Sequence, residues 1–528
     1  MGSPTPPRWR RAFALLNPTH RHSAFSATVL LMASTTLSRV IGLVRVKYIA
    51  WLFGRTAAAD AFYAAFQLPD MISYFLVGGA ASIVFVTMLS RYREQGREDE
   101  GERAMSVILT TMALVLGSAI VLAEFLAPAY VRLLFTFKDA ATAALCVSLT
   151  RILLPAQLCF LAGGVFSAVL LVRKQFGVQA VTPLIYNLGT ILGGVILARA
   201  LGVSSLAIGT VAGAFCGPFL LNAIWAHRAG MRFRPMLHWG NPGLHEWVRM
   251  SLPLMLGVSL VTADNWIINH FASGTSGAIT LLYNAKQIFT APVALGQAAG
   301  AASLPFLASL FGKPDRERFA QTVNASVSQI LAFSVLLSAF MIAMALPLVD
   351  VLVRGGAFHR ADSGAMAVYF GIFSVSLCLW SAQALYARAF YAAGNTITPM
   401  VAGTIVTGLS IPVYWSLYHT VGTRGLAVAS DIGILLQTGV LAVLLHRRRM
   451  VRLSGLDYGE IARSVLAAAV ALVVLLTLRH FVHTTSRLWE LALLTAATIL
   501  WIGVSIGVLR LSGSKLPGQL QARFAGRG

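Results

Sequence analysis

Acidic residues are scarce in this chain of 528: Asp and Glu together number 19, against 41 Lys and Arg, and only 11% of residues carry charge. So little charge beside 57% hydrophobic residues excludes an ordinary soluble globular domain. Cysteine is scarce too. Cys146, Cys159, Cys216 and Cys378 lie in apolar runs with no paired spacing, which excludes a disulfide framework and leaves helix packing as their role. No catalytic triad, metal cluster, Walker loop or nucleotide-binding segment is present, so neither bond-making catalysis nor direct use of ATP is expected. Alternating ten-residue segments are missing, which argues against an outer-membrane barrel. The net charge of +22 would suit nucleic acid, but no zinc-ligand pattern, aromatic-basic repeat or soluble domain accompanies it, so no nucleic-acid partner is expected.

What the chain does have is apolar runs, each near or above the ~20 residues that cross a ~30 Å hydrocarbon core. Reading them between charge and Gly/Pro/Asn punctuation predicts an all-α polytopic membrane protein with fourteen transmembrane helices. With the N-terminus in the cytoplasm, 27 of the 41 cations fall on inner flanks and 10 on outer flanks, as the positive-inside rule requires. Both termini are therefore expected in the cytoplasm, with the chain in a bacterial inner membrane. The predicted organisation is a basic tail at 1–23, a first lobe of six helices at 24–228 and a second at 245–450. Two further helices follow at 451–511, then a tail at 512–528. The first tail lacks an apolar core and a cleavage site, so it reads as a tail rather than a signal peptide.

Two pairs of segments echo each other. Gly79-Ala80-Ala81-Ser82 returns as Gly300-Ala301-Ala302-Ser303, and Thr182-Pro183 as Thr398-Pro399, at offsets of 221 and 216 residues. A shift of six helices keeps orientation, which predicts two parallel six-helix repeats with the substrate site at their meeting. Helices 13 and 14 lie outside the repeat.

The segment Ser38-Arg39-Val40-Ile41-Gly42-Leu43-Val44-Arg45-Val46-Lys47 places three cations in an otherwise apolar span. Intramembrane charge is costly and marks function, and an anionic cargo in a water-filled cavity accounts for it. With Ala59-Asp60-Ala61-Phe62, Leu68-Pro69 and Gly79-Ala80, this segment resembles the opening of the MurJ (MviN) lipid II flippases. That family lies in the superfamily of MATE exporters and polysaccharide flippases. The likeness continues through Pro292, Leu304-Pro305, Thr398-Pro399 and Gly425-Leu426-Ala427, over essentially the whole chain.

The resemblance implies two lobes forming a V-shaped central cavity that alternates between inward-open and outward-open states. It also implies a lipid-tail groove at helices 13 and 14 and a polyprenyl-diphosphate-linked glycan, lipid II, whose head is a diphosphate with an attached sugar-peptide, as partner beside membrane lipids. The chain is expected to act as a monomer and without a cofactor, driven by Na+ or H+ coupling or by the membrane potential. Alternatives are a flippase for O-antigen or exopolysaccharide units, a MATE-type exporter, which should show an acidic cavity, and a membrane scaffold.

Arg39 and Arg45 match two helix 1 arginines that this family associates with substrate, and guanidinium suits paired diphosphate oxygens. Six residues apart, they stand about 240° from each other on a helix and cannot share a narrow face. Asp60 matches the acid of the motif; it reads as a helix N-cap and, compatibly, as an ion-pair partner for a helix 1 arginine. The chain departs from the family at Ser73, Tyr74 and Gln287, where basic residues are expected; Lys286, one position earlier, is taken as a substrate-facing substitute. Asp264 and Asn265, with Asp431 compensating for donors absent at Ser410 and Tyr414, form the candidate coupling-ion site. Glu124 and Asp350, near outer helix ends, are expected at the membrane interface.

Overall fold

A computed structural model describes residues 24–77, 81–173, 175–311, 316–482 and 486–518. The first tail, part of the last and Gly79-Ala80 of the repeat lie outside these. The described residues are helical, apart from loops and one isolated bridge, Gly355 to Phe358. Nine of their helices are each long and apolar enough to cross a bilayer, and a pair bent by 44° makes a tenth. The helices follow one another in the predicted order, consistent with fourteen spans. The chain divides into two compact units: residues to Ile49 with Thr56–Leu256, and Ala50–Arg55 with Gly257 onward.

The first unit holds α1 (Ala24–Phe53, up to Ile49), α2 (Ala57–Ala65), α3 (Gln67–Ile72), α4 (Ala81–Glu94) and α5 (Glu98–Leu134). It continues with α6 (Ala140–Leu153), α7 (Ala156–Val172), α8 (Phe176–Leu201), α9 (Ser204–Ala214), α10 (Asn222–Arg228) and α11 (Pro242–Leu256). Asp139 caps α6 by accepting from Ala141 N at 3.1 Å and Thr142 N at 3.2 Å; these backbone and threonine bonds hold its carboxyl below the usual range.

A seam of small residues joins α8 to α9. Gly189 and Gly193 on one helix face Gly209 and Gly213 on the other, so closely that a Cβ at Gly193 would lie 2.5 Å from Gly209 Cα. This is the small-xxx-small packing that lets membrane helices touch backbone to backbone, and the Thr190–Thr210 hydroxyl bond at 2.9 Å locks it. Gly193→Ala should lower stability by about 1–3 kcal/mol through overpacking, checked by thermal unfolding of the purified protein.

The units divide at Leu256/Gly257, inside the span expected to open the second lobe. The side chains on α11 explain why it stays with the first unit. Trp247 is buried with its ring 5.7 Å from that of buried Phe85, and Glu246 pairs with Arg91. Fully burying a large apolar side chain is worth about 1.5–3 kcal/mol.

The second unit holds α12 (Leu260–Ala272), α13 (Ala278–Phe311), α14 (Arg316–Ala343), α15 (Ala345–Val353), α16 (Arg360–Val375) and α17 (Leu377–Ala392). Then come α18 (Ile397–Val421), α19 (Thr423–Arg447), α20 (Tyr458–Phe481) and α21 (Arg487–Leu511). Residues Ala50–Arg55 are sewn to the α15–α16 loop, where Ala357 N donates to Trp51 O at 2.8 Å. Gly356, at φ +55°, passes so close that a Cβ would sit 2.2 Å from Trp51 O.

Asp350, near the end of α15, is held by protein side chains. It is fully buried, pairs with Arg354 at 3.0 Å and belongs to a network in which Arg360 reaches Glu490 at 2.8 Å. Arg487 donates to Val351 O at 2.7 Å. Paired charges thus fasten α21 to the α15–α16 corner, which is how ionised groups are tolerated away from water.

Candidate functional site

A buried polar cluster inside the second unit forms where α12, α13, α18 and α19 converge. The chain breaks helix at Gly257–Ser259 and resumes at Leu260, which puts Asp264 one turn into α12. Asp264 is fully buried, and its carboxylate is surrounded by donors. Oδ2 pairs with Lys286 Nζ and accepts from the Ser430 hydroxyl at 2.8 Å, while Oδ1 accepts from the Tyr414 hydroxyl. Lys286 Nζ also donates to Asn265 Oδ1 at 2.8 Å and lies 5.7 Å from the centre of the Trp380 ring. Tyr414 and Ser430 are themselves buried. One ammonium is thus held by a carboxylate, an amide oxygen and an indole face, and the carboxylate by an ammonium and two hydroxyls. Such closure is what makes a buried ion pair tolerable in low dielectric.

Two sequence-derived roles therefore meet in one place. Lys286 was expected to face substrate, and Asp264 with Asn265 to face a small cation; in this structure Lys286 is the cation that Asp264 and Asn265 hold. Opposite intramembrane charges within one lobe tend to pair, and that signal was present in the sequence. Tyr414 supplies the donor that the reading of the sequence found wanting. Ser410 does not, since its hydroxyl turns back to Val406 O at 2.8 Å.

Asp431 stands within electrostatic reach of Asp264 and Lys286, as grouped from the sequence, but its hydrogen bond goes to another partner. It accepts from the hydroxyl of Ser376, the residue at the 44° bend between α16 and α17. Thr438, two turns further along α19, donates to Leu379 O at 3.2 Å just past that bend. Asp431 thereby braces a kinked span, and among the described residues no hydrogen bond joins it to the Asp264 carboxylate.

Arg39, Arg45 and Asp60 belong to the first unit. Arg39 is exposed on α1, and Arg45 is half-buried one turn before buried Ile49. Asp60 is 2% exposed, and its expected capping role is overturned. The N-cap of α2 is Thr56, whose hydroxyl accepts from Ala59 N at 3.3 Å; Asp60 sits a full turn in, its own N–H donating to Thr56 O at 3.0 Å. A β-region residue just before the helix takes the cap, and Asp60 lies inside it. Ser73 and Tyr74 open a π-helical turn, Ser73–Val77, that interrupts the second span. Gln287 is half-buried beside Lys286. The reading of the sequence passed over Asp70, an exposed acid on α3. No group of three or more His, Cys, Asp or Glu able to hold a metal ion occurs among the described residues.

A family model described as "Lipid II flippase MurJ" matches residues 49–496. A probable lipid II flippase MurJ of Vibrio cholerae is 27% identical over 502 residues, covering 92% of each chain. The lipid II flippase MurJ of Burkholderia cenocepacia is 28% identical over 517 residues, covering 93% of this chain and 98% of that one. In fold, the chain resembles a solved lipid II flippase MurJ in an inward closed conformation, with TM-score 0.76 at 20% identity, over 91% of this chain and 99% of that one. An inward-facing multidrug resistance MATE family transporter of the MOP superfamily follows at TM-score 0.65 and 15% identity, over 79% of this chain and 98% of that one.

Proposed function

The chain belongs to the lipid II flippase MurJ family, and from that membership we propose that it moves lipid II across the bacterial inner membrane without catalysing a bond change. It takes the diphosphate-sugar head from the cytoplasmic leaflet and releases it on the periplasmic side. It works as a monomer by alternating access, with both termini in the cytoplasm. The observation that carries this reading is the pair of arginines on α1, Arg39 exposed and Arg45 half-buried, in a helix otherwise apolar enough to span the membrane. Guanidinium stays charged in such surroundings and grips diphosphate oxygens two at a time. Cations on a membrane helix also argue against an exporter of organic cations, whatever the likeness of fold.

The Lys286 centre supports a drive by membrane potential. Asp264 is already neutralised by an ammonium tethered to α13, so its own carboxylate offers no vacant charge to a diffusing sodium ion. A negative head moving through the field responds with ~2.3 kcal/mol per charge per 100 mV. A second cargo, another polyprenyl-diphosphate-linked oligosaccharide, is favoured by Ser73, Tyr74 and Gln287, which offer no charge to a phosphate.

Native mass spectrometry of the full chain purified from membranes tests the reading. Lipid II should co-purify. A different prenyl-diphosphate glycan would transfer the assignment to that cargo, and the absence of any prenyl diphosphate would overturn it.

A further inference from the structure

Asp70 takes no part in the Lys286 centre and belongs to the other unit. It lies ten residues beyond Asp60 on the same expected span, about 15 Å further along the helix at ~1.5 Å per residue. Its bonds are those of its backbone: its N–H donates to Phe66 O at 2.9 Å and its carbonyl accepts from Ser73 N. Among the described residues its carboxylate has no hydrogen bond and no ion pair, and the side chain is exposed. An exposed carboxylate on an expected membrane span is unfavourable in lipid and calls for a cation in a wet space.

The backbone beside it is built unusually. Helix α3 passes directly into the π-helical turn Ser73–Val77, a distortion frequent at functional sites. One turn beyond Asp70 stands Tyr74, its ring edge-on to Phe75 at 5.4 Å. Tyr130 on α5 is half-buried next to the same turn, where its hydroxyl donates to Met71 Sδ at 3.6 Å. A single carboxylate among aromatic rings is a poor seat for a metal ion, which needs six or more oxygens if it is calcium. It is a good seat for an organic ammonium, which takes one charge-assisted bond and the faces of aromatic rings.

We propose that Asp70 binds a primary ammonium group on the peptide portion of the cargo's head, so that the first unit reads the positive end of the cargo as well as its diphosphate. This rests on the lipid II reading above. It assigns Asp70 to cargo selection rather than to driving transport.

The test uses the full chain in nanodiscs free of ethanolamine lipids, titrated with lipid II and with lipid II whose free peptide amine has been acetylated. The unaltered chain should bind the free-amine form about tenfold more tightly. Asp70→Asn should bind both forms alike, at the level of the acetylated cargo on the unaltered chain, while Asp70→Glu keeps the preference. Equal binding of both forms by the unaltered chain would overturn this assignment and leave the lipid II reading standing. Binding of neither form would bring down the lipid II reading itself. A preference that survives in Asp70→Asn places the ammonium contact elsewhere. Loss of the preference when ethanolamine lipids are restored would make the phospholipid headgroup the ligand and overturn the cargo assignment. Binding that changes with pH equally for both forms would make Asp70 a proton site instead.

Discussion

Asp264→Ala is expected to cost about 3–5 kcal/mol of stability, because it leaves the Lys286 ammonium buried with only an amide oxygen and an indole face for partners. Chemical denaturation of the purified protein, followed by tryptophan fluorescence, measures the loss. Lys286→Met should cost less. The orphaned carboxylate keeps two hydroxyl donors, Tyr414 and Ser430, whereas the orphaned ammonium keeps one amide oxygen and the Trp380 face. The double variant Asp264→Asn with Lys286→Met should recover most of the loss, since replacing a whole buried pair is often nearly neutral where breaking it is not. A double variant no more stable than Asp264→Ala alone would mean that the two side chains do not act as a pair.

The same variants examine the tethered cation. Lys286→Met leaves a carboxylate, an amide oxygen and two hydroxyls around one position, an oxygen set suited to a small hard cation. Sodium should therefore raise the melting temperature of Lys286→Met and leave that of the unaltered chain where it was. A sodium-dependent rise in the unaltered chain would show that Lys286 does not fill the site.

Arg39→Ala should behave in the opposite way, with little effect on stability and a large one on function. The side chain is exposed on α1, so its removal leaves no buried group unpaired. Charge-assisted hydrogen bonds are worth about 1.5–3 kcal/mol, roughly 10- to 150-fold in affinity at 1.4 kcal/mol per decade. Cells depleted of their own flippase should fail to grow on Arg39→Ala although the protein reaches the membrane at normal levels. Arg39→Lys should rescue in part, since it restores the charge and not the paired geometry. Full growth with Arg39→Ala would remove the cation argument for that residue. Asp60 suits such a test less well, because at 2% exposure its loss would disturb packing and function together.

Membrane character and the succession of helices were legible without coordinates, because hydropathy over ~20 residues and the side of each Lys and Arg are properties of short stretches. The α1 cations were legible for the same reason: a charge in an apolar run stands out wherever the helix goes. The cap of α2 was misread by a single turn. Asp and Thr are both good caps, and the choice of Thr56 depends on where the chain leaves extended backbone.

The Lys286 centre was half legible. Each member was a visible anomaly, but Tyr414 and Ser430 reach Asp264 across 150 and 166 residues, and no spacing rule in one sequence joins helices so far apart. The Gly189–Gly193 and Gly209–Gly213 seam was present as two small-xxx-small repeats, yet which glycines meet depends on how α8 and α9 are rotated.

Composition and local pattern thus settle that this chain crosses a membrane many times, in what order, and with cations where lipid would reject them, since these follow from transfer free energies that add along the chain. Which charges neutralise one another, which acid braces the bend at Ser376 and which acid, Asp70, has no ion pair among the described residues follow from the packing of helix faces. Packing fixes rotation and depth, and a one-residue change of face turns a side chain by about 100°.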